Sequence, residues 1–94
     1  MVKINLLRDS VLTVSFGDGI LKGMTVEFIG EDLFYGTVGN ILALYADSGK
    51  IIAPIERKLT AEEYQYVKTV VLEYAKTYAE IENWDRKIVF IEIS

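Results

Sequence analysis

The sequence predicts one α+β domain spanning residues 1–94: an antiparallel β-meander of five to seven short strands, one long amphipathic helix packed on it, and a C-terminal strand. Three observations predict this fold class. Short apolar runs divided by turn-forming residues fill the first 55 residues, a helix-start signal at Thr60 opens a long helical stripe, and a further alternating run closes the chain. With 94 residues there is room for one domain only.

Six segments are predicted as strands because each is short, rich in apolar and β-branched residues and bounded by turn residues: 2–7, 11–16, 24–29, 33–38, 41–46 and 50–55. Residues 30–32, 39–40 and 47–49 are predicted to be turns between sequential antiparallel strands, with Gly49 in the left-handed position of a three-residue hairpin loop. Pro54 has no N–H to donate, so the last of these strands should end there or lie at a sheet edge.

Alternation assigns inward-facing side chains in two of the strands: Leu12, Val14, Phe16, Met24, Val26 and Phe28. The segments 41–46 and 50–55 are apolar on both faces. We therefore expect their hairpin to be covered on both sides, by the helix on one side and by a sheet curled toward a small barrel, or by a partner, on the other.

The helix is predicted to begin after Thr60, because Thr60 and Glu63 form an S/T-x-x-E capping box and Leu59 precedes it as a hydrophobic staple. Its apolar stripe should face the sheet, with Tyr64 and Ala75 at the margin and these residues along it: Val67, Val70, Val71, Tyr74, Tyr78 and Ile81. The helix is predicted to end at Asn83. It crosses the sheet, and the chain then returns to the sheet as a final strand at residues 87–93.

Residues 23–41, GMTVEFIGEDLFYGTVGNI, carry a glycine and apolar pattern similar to that of the small SH3-like barrels of the KOW type. The positions that match are Gly23, Val26, Phe28, Gly30, Gly36, Val38 and Ile41. The resemblance covers about a fifth of the chain and implies a curled small sheet. The segment lacks the basic residues that KOW modules use on RNA, so no function is carried over. The nearby segment 16–23, FGDGILKG, departs from both dinucleotide and P-loop patterns and is predicted to be a turn.

Composition removes most catalytic chemistry. The chain has no cysteine and no histidine, which excludes thiol and imidazole nucleophile pairs, disulfides and ordinary zinc sites. The net charge of −4 and scattered cations disfavour direct nucleic-acid binding. No segment reads as a signal peptide or as an apolar span long enough for a membrane. We expect a cytoplasmic, non-enzymatic protein without cofactor, metal or catalytic residues.

Aromatic and apolar residues off the main helical stripe are the candidates for partner binding. Tyr66 falls on the flank of the helix, where it is not expected to join the core, Leu72 lies on the other flank, and Trp84 follows the helix. Tyr and Trp are enriched among interface anchors. A homo-oligomer is left open, because the helical stripe also has the spacing of a helix-pair seam.

The main hypothesis is therefore a protein-binding module. Small, acidic, cysteine-free single domains resemble, in type, the bacteriophage and mobile-element proteins that inhibit host defence systems, anti-CRISPR proteins among them. An alternative is an oligomeric protein that binds a nucleotide-like small ligand through convergent cations, namely Arg8, Arg57, Lys58 and Arg86. A third hypothesis is an enzyme that uses carboxylates alone, which would need two acids with separated pKa values in a dry cleft.

Overall fold

The computed structural model describes residues 2–7, 11–34, 40–82 and 87–92. It has the predicted α+β fold, a curled sheet with one long helix packed on it, although the sheet is mixed and not wholly antiparallel. Within the described residues the elements are β1 (Val2–Leu7), β2 (Val11–Phe16), β3 (Thr25–Phe34), β4 (Asn40–Tyr45), β5 (Lys50–Ala53), β6 (Arg57–Lys58), α1 (Ala61–Glu82) and β7 (Lys87–Ile91).

The main path of the sheet runs β1-β2-β3-β4-β7. The first four strands pair sequentially and antiparallel, which confirms the meander for this part of the chain. Strand β7 lies parallel to β4, with Ala43 opposite Val89 and Tyr45 opposite Ile91. Helix α1 supplies the crossover that a parallel pair requires. The sheet is therefore mixed.

Strands β4 and β5 lie end to end along one edge of β3. Gly30 pairs with Leu44 in β4, and Glu27 pairs with Lys50 in β5, both antiparallel. The register shifts by three residues between these pairings, which is the length of the 3-10 turn Ala46–Ser48 that separates the two strands. Together β4 and β5 act as one long partner strand of β3, interrupted by a three-residue bulge.

The predicted hairpin turn at residues 47–49 is therefore wrong, because the chain continues in the same direction through it. Gly49 is extended, with φ −64°, and not left-handed. A side chain replaces the missing ladder bonds at this point: the Ile29 N–H donates to Ser48 Oγ at 2.9 Å, and the Ser48 hydroxyl donates to the Tyr45 carbonyl at 2.6 Å. Strand β5 ends at Ala53, before Pro54, as the sequence predicts.

The predicted turn at residues 30–32 is also wrong, since β3 runs without interruption from Thr25 to Phe34. Gly30 is buried where β3 changes its neighbour from β5 to β4. A Cβ on Gly30 would lie 2.9 Å from the Ala43 carbonyl carbon and closer still to its oxygen. This glycine permits a close backbone approach, which is the other common role of glycine in a strand. Residues 35–38 of the predicted strand 33–38, and Gly39 of the predicted loop, lie outside the described residues.

The core lies between the concave face of the sheet and the helix. The residues predicted to face inward are buried, apart from Met24, which precedes β3 and is half-buried. Helix α1 contributes Val67, Val71 and Ala75 to this core. The capping box is confirmed: Glu63 N–H donates to Thr60 Oγ1 at 3.1 Å, and Thr60 N–H donates to Glu63 Oε1 at 2.9 Å. Such caps are typically worth about 1 kcal/mol.

The glycine-rich segment forms the loop between β2 and β3, which confirms its interpretation as a turn. Gly23 N–H donates to the Phe16 carbonyl at 2.8 Å, and Gly19 and Gly23 have φ values of 78° and 82°. Glycine adopts this left-handed backbone at little steric cost. Leu21 folds back into the core with 1% exposure, so the loop is anchored from inside.

Candidate interaction surface

The cations proposed for the ligand alternative are only partly placed. Arg57 and Lys58 lie side by side in the two-residue strand β6, and both are exposed. Arg8 and Arg86 lie outside the described residues, so their convergence on Arg57 stays a prediction. The Arg57 guanidinium already holds an internal partner: its Nη1 and Nη2 atoms donate to the two carboxylate oxygens of Glu63, each at 2.8 Å.

The Glu63 carboxylate combines this ion pair with the capping box of α1. The hydrogen bonds from Arg57, followed by that from the Thr60 N–H, lower the pKa of Glu63 from 4.5 to about 2. Because the folded pKa lies below the unfolded one, stability from Glu63 is complete above about pH 5 and is lost as the pH falls toward 2. We expect the urea midpoint to fall between pH 6 and pH 3, and to fall less in Glu63→Gln than in the wild type.

Glu62→Gln is the matched control for this measurement, because Glu62 is the adjacent acid and is exposed. Its urea midpoint should fall with pH as steeply as that of the wild type. An equally steep fall in Glu63→Gln would show that the Arg57–Glu63 pair does not stabilise the fold.

Tyr66 does join the core, contrary to the structural expectation. It is half-buried, and its ring centroid lies 5.6 Å from that of Phe16. Its ring also covers the loop between β2 and β3, where a Cβ on Gly19 would lie 3.2 Å from Tyr66 Cζ and nearer to the hydroxyl oxygen. The curled sheet and this loop reach around the flank of the helix. A partner-binding role for Tyr66 stays a prediction.

The other two candidate anchors are Leu72 and Trp84. Leu72 is exposed on the helix, with 38% of its surface accessible, as a flank position predicts. Trp84 lies outside the described residues. Whether the three anchors share one surface, and their role in binding, therefore stay predictions.

Strand β7 is fastened to the helix and to β3 through an aromatic cluster of Phe28, Tyr64 and Phe90. The Phe28 and Phe90 rings meet edge to face at 5.3 Å, and Tyr64 meets Phe90 at 6.0 Å. Beyond the cluster, Lys68 of α1 forms an ion pair with Glu92. These contacts hold the side of β7 that faces the helix.

The Tyr64 hydroxyl is buried without a partner at hydrogen-bond geometry among the described residues. Burial, followed by the negative charge of the Glu92 carboxylate close by, raises the pKa of Tyr64 to about 12. The phenol therefore stays neutral at ordinary pH, and nothing about it suggests a reactive group.

The opposite side of β7 belongs to an exposed apolar surface on the convex face of the sheet. We call the residues Ile29, Tyr45, Val89 and Ile91 the outer patch. Exposure is 47% for Ile29, 42% for Val89 and 37% for Ile91, which is high for large apolar side chains. Tyr45 stands directly opposite Ile91, so the patch crosses from β4 to β7 without a gap.

Ala43 and Glu31 lie next to the outer patch. Ala43, opposite Val89, is only 1% exposed and lies buried between the neighbouring strands. The Glu31 carboxylate lies near the Tyr45 hydroxyl and, through hydrogen bonding and its negative charge, raises the pKa of Tyr45. The surface is therefore apolar with one acidic margin.

The patch adjoins a free sheet edge. Within the part of the chain that the structure describes, β7 pairs with β4 alone, so the backbone N–H and C=O groups on its other side have no strand beside them. The two other terminal strands are protected in the usual ways. Strand β1 carries exposed Lys3 and Asn5, and β6 consists of two cationic residues.

The sequence carried part of this signal. The segment 41–46 is apolar on both faces, which predicts that its second face, away from the helix, is also covered. The segment 50–55 is apolar on both faces as well, and no local feature tells which of the two segments meets a partner. The apolar run at 87–93 predicts a strand but does not distinguish its two sides. Its exposed residues Val89 and Ile91 alternate with Ile88 and Phe90, which face the core. That double-sided alternation is the signal that was missed.

Other kinds of site find no support among the described residues. No group of three or more acidic side chains there could hold a metal ion. No helix in the described part is long and apolar enough to cross a membrane. Comparison of the chain with protein-family models, with curated proteins and with solved structures found no match.

Proposed function

We propose that this chain is a non-enzymatic protein-binding module whose binding surface is the outer patch together with the free edge of β7. The observation that carries the proposal is the exposure of Val89 and Ile91 on an edge strand whose one charged residue, Lys87, lies at its start. An extended partner segment added at such an edge gains main-chain hydrogen bonds, and neighbouring apolar pockets give it specificity.

The acidic surface bears on which partner is expected. A net charge of −4 favours approach to basic protein surfaces and suits an inhibitor of a host system, the finer hypothesis raised by the composition. The cytoplasmic location expected from the cysteine-free sequence belongs to the same proposal. The small-ligand alternative is weaker, because Arg57, one of its four cations, already binds Glu63 through two hydrogen bonds.

The proposal is tested by quantitative capture from a bacterial lysate with immobilised protein. We expect Val89→Lys/Ile91→Lys to reduce captured partner at least about tenfold, since burying two unpaired charges in an apolar contact costs more than the roughly 1.4 kcal/mol of a tenfold change. Both side chains are exposed, so the fold should persist, and a thermal melt by circular dichroism checks this.

The matched control is Lys3→Glu/Asn5→Lys, which alters the exposed outer face of the other long edge strand, β1. It should capture the same proteins as the wild type. Equal capture by the β7 variant and the wild type would contradict the proposed surface.

A further inference from the structure

We infer that the free edge of β7 pairs with β7 of a second copy of this chain, antiparallel and about a two-fold axis at Val89. The inference deepens the proposed function, because it assigns one partner, the chain itself, to the surface already described. It rests on the pairing rules of β-strands, on the pattern of exposed side chains along β7 and on the charges at the two ends of the strand.

Pairing rules fix which residues meet. Directly opposite residues of an antiparallel pair point to the same face of the sheet. With Val89 on the two-fold axis, Lys87 of one copy stands opposite Ile91 of the other, and Ile88 stands opposite Phe90. Convex-face residues therefore meet convex-face residues, and core-face residues meet core-face residues. The two sheets join into one continuous sheet in which the convex faces lie on one side and the core faces on the other.

The joined sheet extends the apolar surface on the convex side. In each copy Val89 stands beside Ala43, and Ile91 stands beside Tyr45. Across the two-fold axis the two Val89 side chains come together, so the outer patches of the two copies become neighbours. Each Val89, now 42% exposed, loses much of its contact with water in this arrangement.

Charge favours the antiparallel arrangement of two identical strands. The described end residues of the segment are Lys87, which is exposed, and Glu92, which follows β7. Parallel in-register pairing would place Lys87 beside Lys87 and Glu92 beside Glu92, whereas antiparallel pairing keeps these like charges at opposite ends. The net charge of −4 would make two copies repel each other, but it is not concentrated at this edge, because Lys87 is present and Lys68 is paired with Glu92.

The contrast with β1 identifies β7 as the self-pairing edge. Both are terminal strands of the main sheet path, and both have one free edge within the described residues. The outward residues of β1 include Lys3 and Asn5, whereas those of β7 are Lys87 at its start, followed by Val89 and Ile91. A two-fold axis makes such pairing isologous and closed, and two-fold dimers are the commonest oligomers.

The expected dimer is weak, because a five-residue strand contributes few main-chain hydrogen bonds and a small area. Sedimentation velocity from about 1 μM to 1 mM tests it. We expect a concentration-dependent shift from the 10.6 kDa chain to twice that mass. Val89→Lys should remain monomeric throughout, and Asn5→Lys, which adds the same charge on the β1 edge, should behave as the wild type does.

Cross-linking tests the register independently of any loss of affinity. The chain has no cysteine, so Val89→Cys introduces the only thiol. Opposite residues of paired strands have Cβ atoms about 4.5–5.5 Å apart, within reach of a short bismaleimide. We expect Val89→Cys to give a covalent dimer in high yield, and Asn5→Cys to give little.

The outcomes separate this inference from the proposed function. A wild type that is monomeric up to 1 mM overturns the inference, while capture of a foreign partner that is lost in Val89→Lys/Ile91→Lys would still uphold the binding surface. A dimer that persists in Val89→Lys, or cross-links equally well through Asn5→Cys, places the contact elsewhere and also overturns the inference.

Discussion

Replacing Gly30 by alanine is expected to destabilise the protein by about 3 kcal/mol or more, the upper end of the cost of overpacking. A Cβ at this position would lie 2.9 Å from both the Ala43 carbonyl carbon and Leu44 Cα. All the atoms it meets belong to the backbone of β4, so no side-chain rotation relieves the overlap. The strand pair β3–β4 must separate, and that separation also disturbs β7, which depends on β4 for its ladder. Urea denaturation followed by circular dichroism measures the change.

Gly23→Ala is the matched control, because it adds the same methyl group where a Cβ would meet nothing within 4 Å. Gly23 has φ +82°, so the substitution still costs about 1–2 kcal/mol of backbone strain. The loss for Gly30→Ala should be clearly larger. Equal losses would mean that β3 and β4 do not approach each other as closely at Gly30 as the structure has them.

The two roles of glycine explain where prediction from the sequence succeeded and where it failed. The glycines of the loop between β2 and β3 end a strand, and the turn predicted there is present. Gly30 and Gly49 sit in similar local sequences, beside acidic or small polar residues, and were predicted to be turns as well. Both instead leave room for a neighbour, the β4 backbone at Gly30 and the Phe28 ring at Gly49. Local composition cannot distinguish these roles, because the neighbour comes from another part of the chain.

The elements with purely local determinants were predicted well. The strands 2–7 and 11–16 have the predicted bounds, and the helix begins after the Thr60 and Glu63 capping box. Positions that depend on the curvature of the sheet were not predicted well. A helical wheel places Tyr66 off the apolar stripe, but the curled sheet brings Phe16 beside its ring. Likewise the apolar convex side of β7 becomes visible only once the helix is known to cover the other side.

Replacing Phe28 by alanine is expected to cost about 3–5 kcal/mol, the range for removing a buried aromatic ring from a core. Phe28 is 0% exposed and contacts Tyr64 of the helix and Phe90 of β7. Its loss removes the ring that holds both elements against β3, so the helix and the edge strand should loosen together. Hydrogen exchange should show lost protection in β7 as well as a lower urea midpoint. Full protection of β7 in the folded variant would contradict this role.

Gly49 offers a sharper test of the same packing. A Cβ on Gly49 would lie 2.5 Å from Phe28 Cε1 and 2.7 Å from Cζ. Gly49→Ala alone should therefore destabilise the protein by about 1–3 kcal/mol, because the buried ring has to shift. In the Phe28→Ala background the new methyl group instead occupies part of the space that the ring has left. A double-mutant cycle should give a favourable coupling energy of about 1 kcal/mol or more, whereas additive effects would show that Gly49 and Phe28 do not share this site.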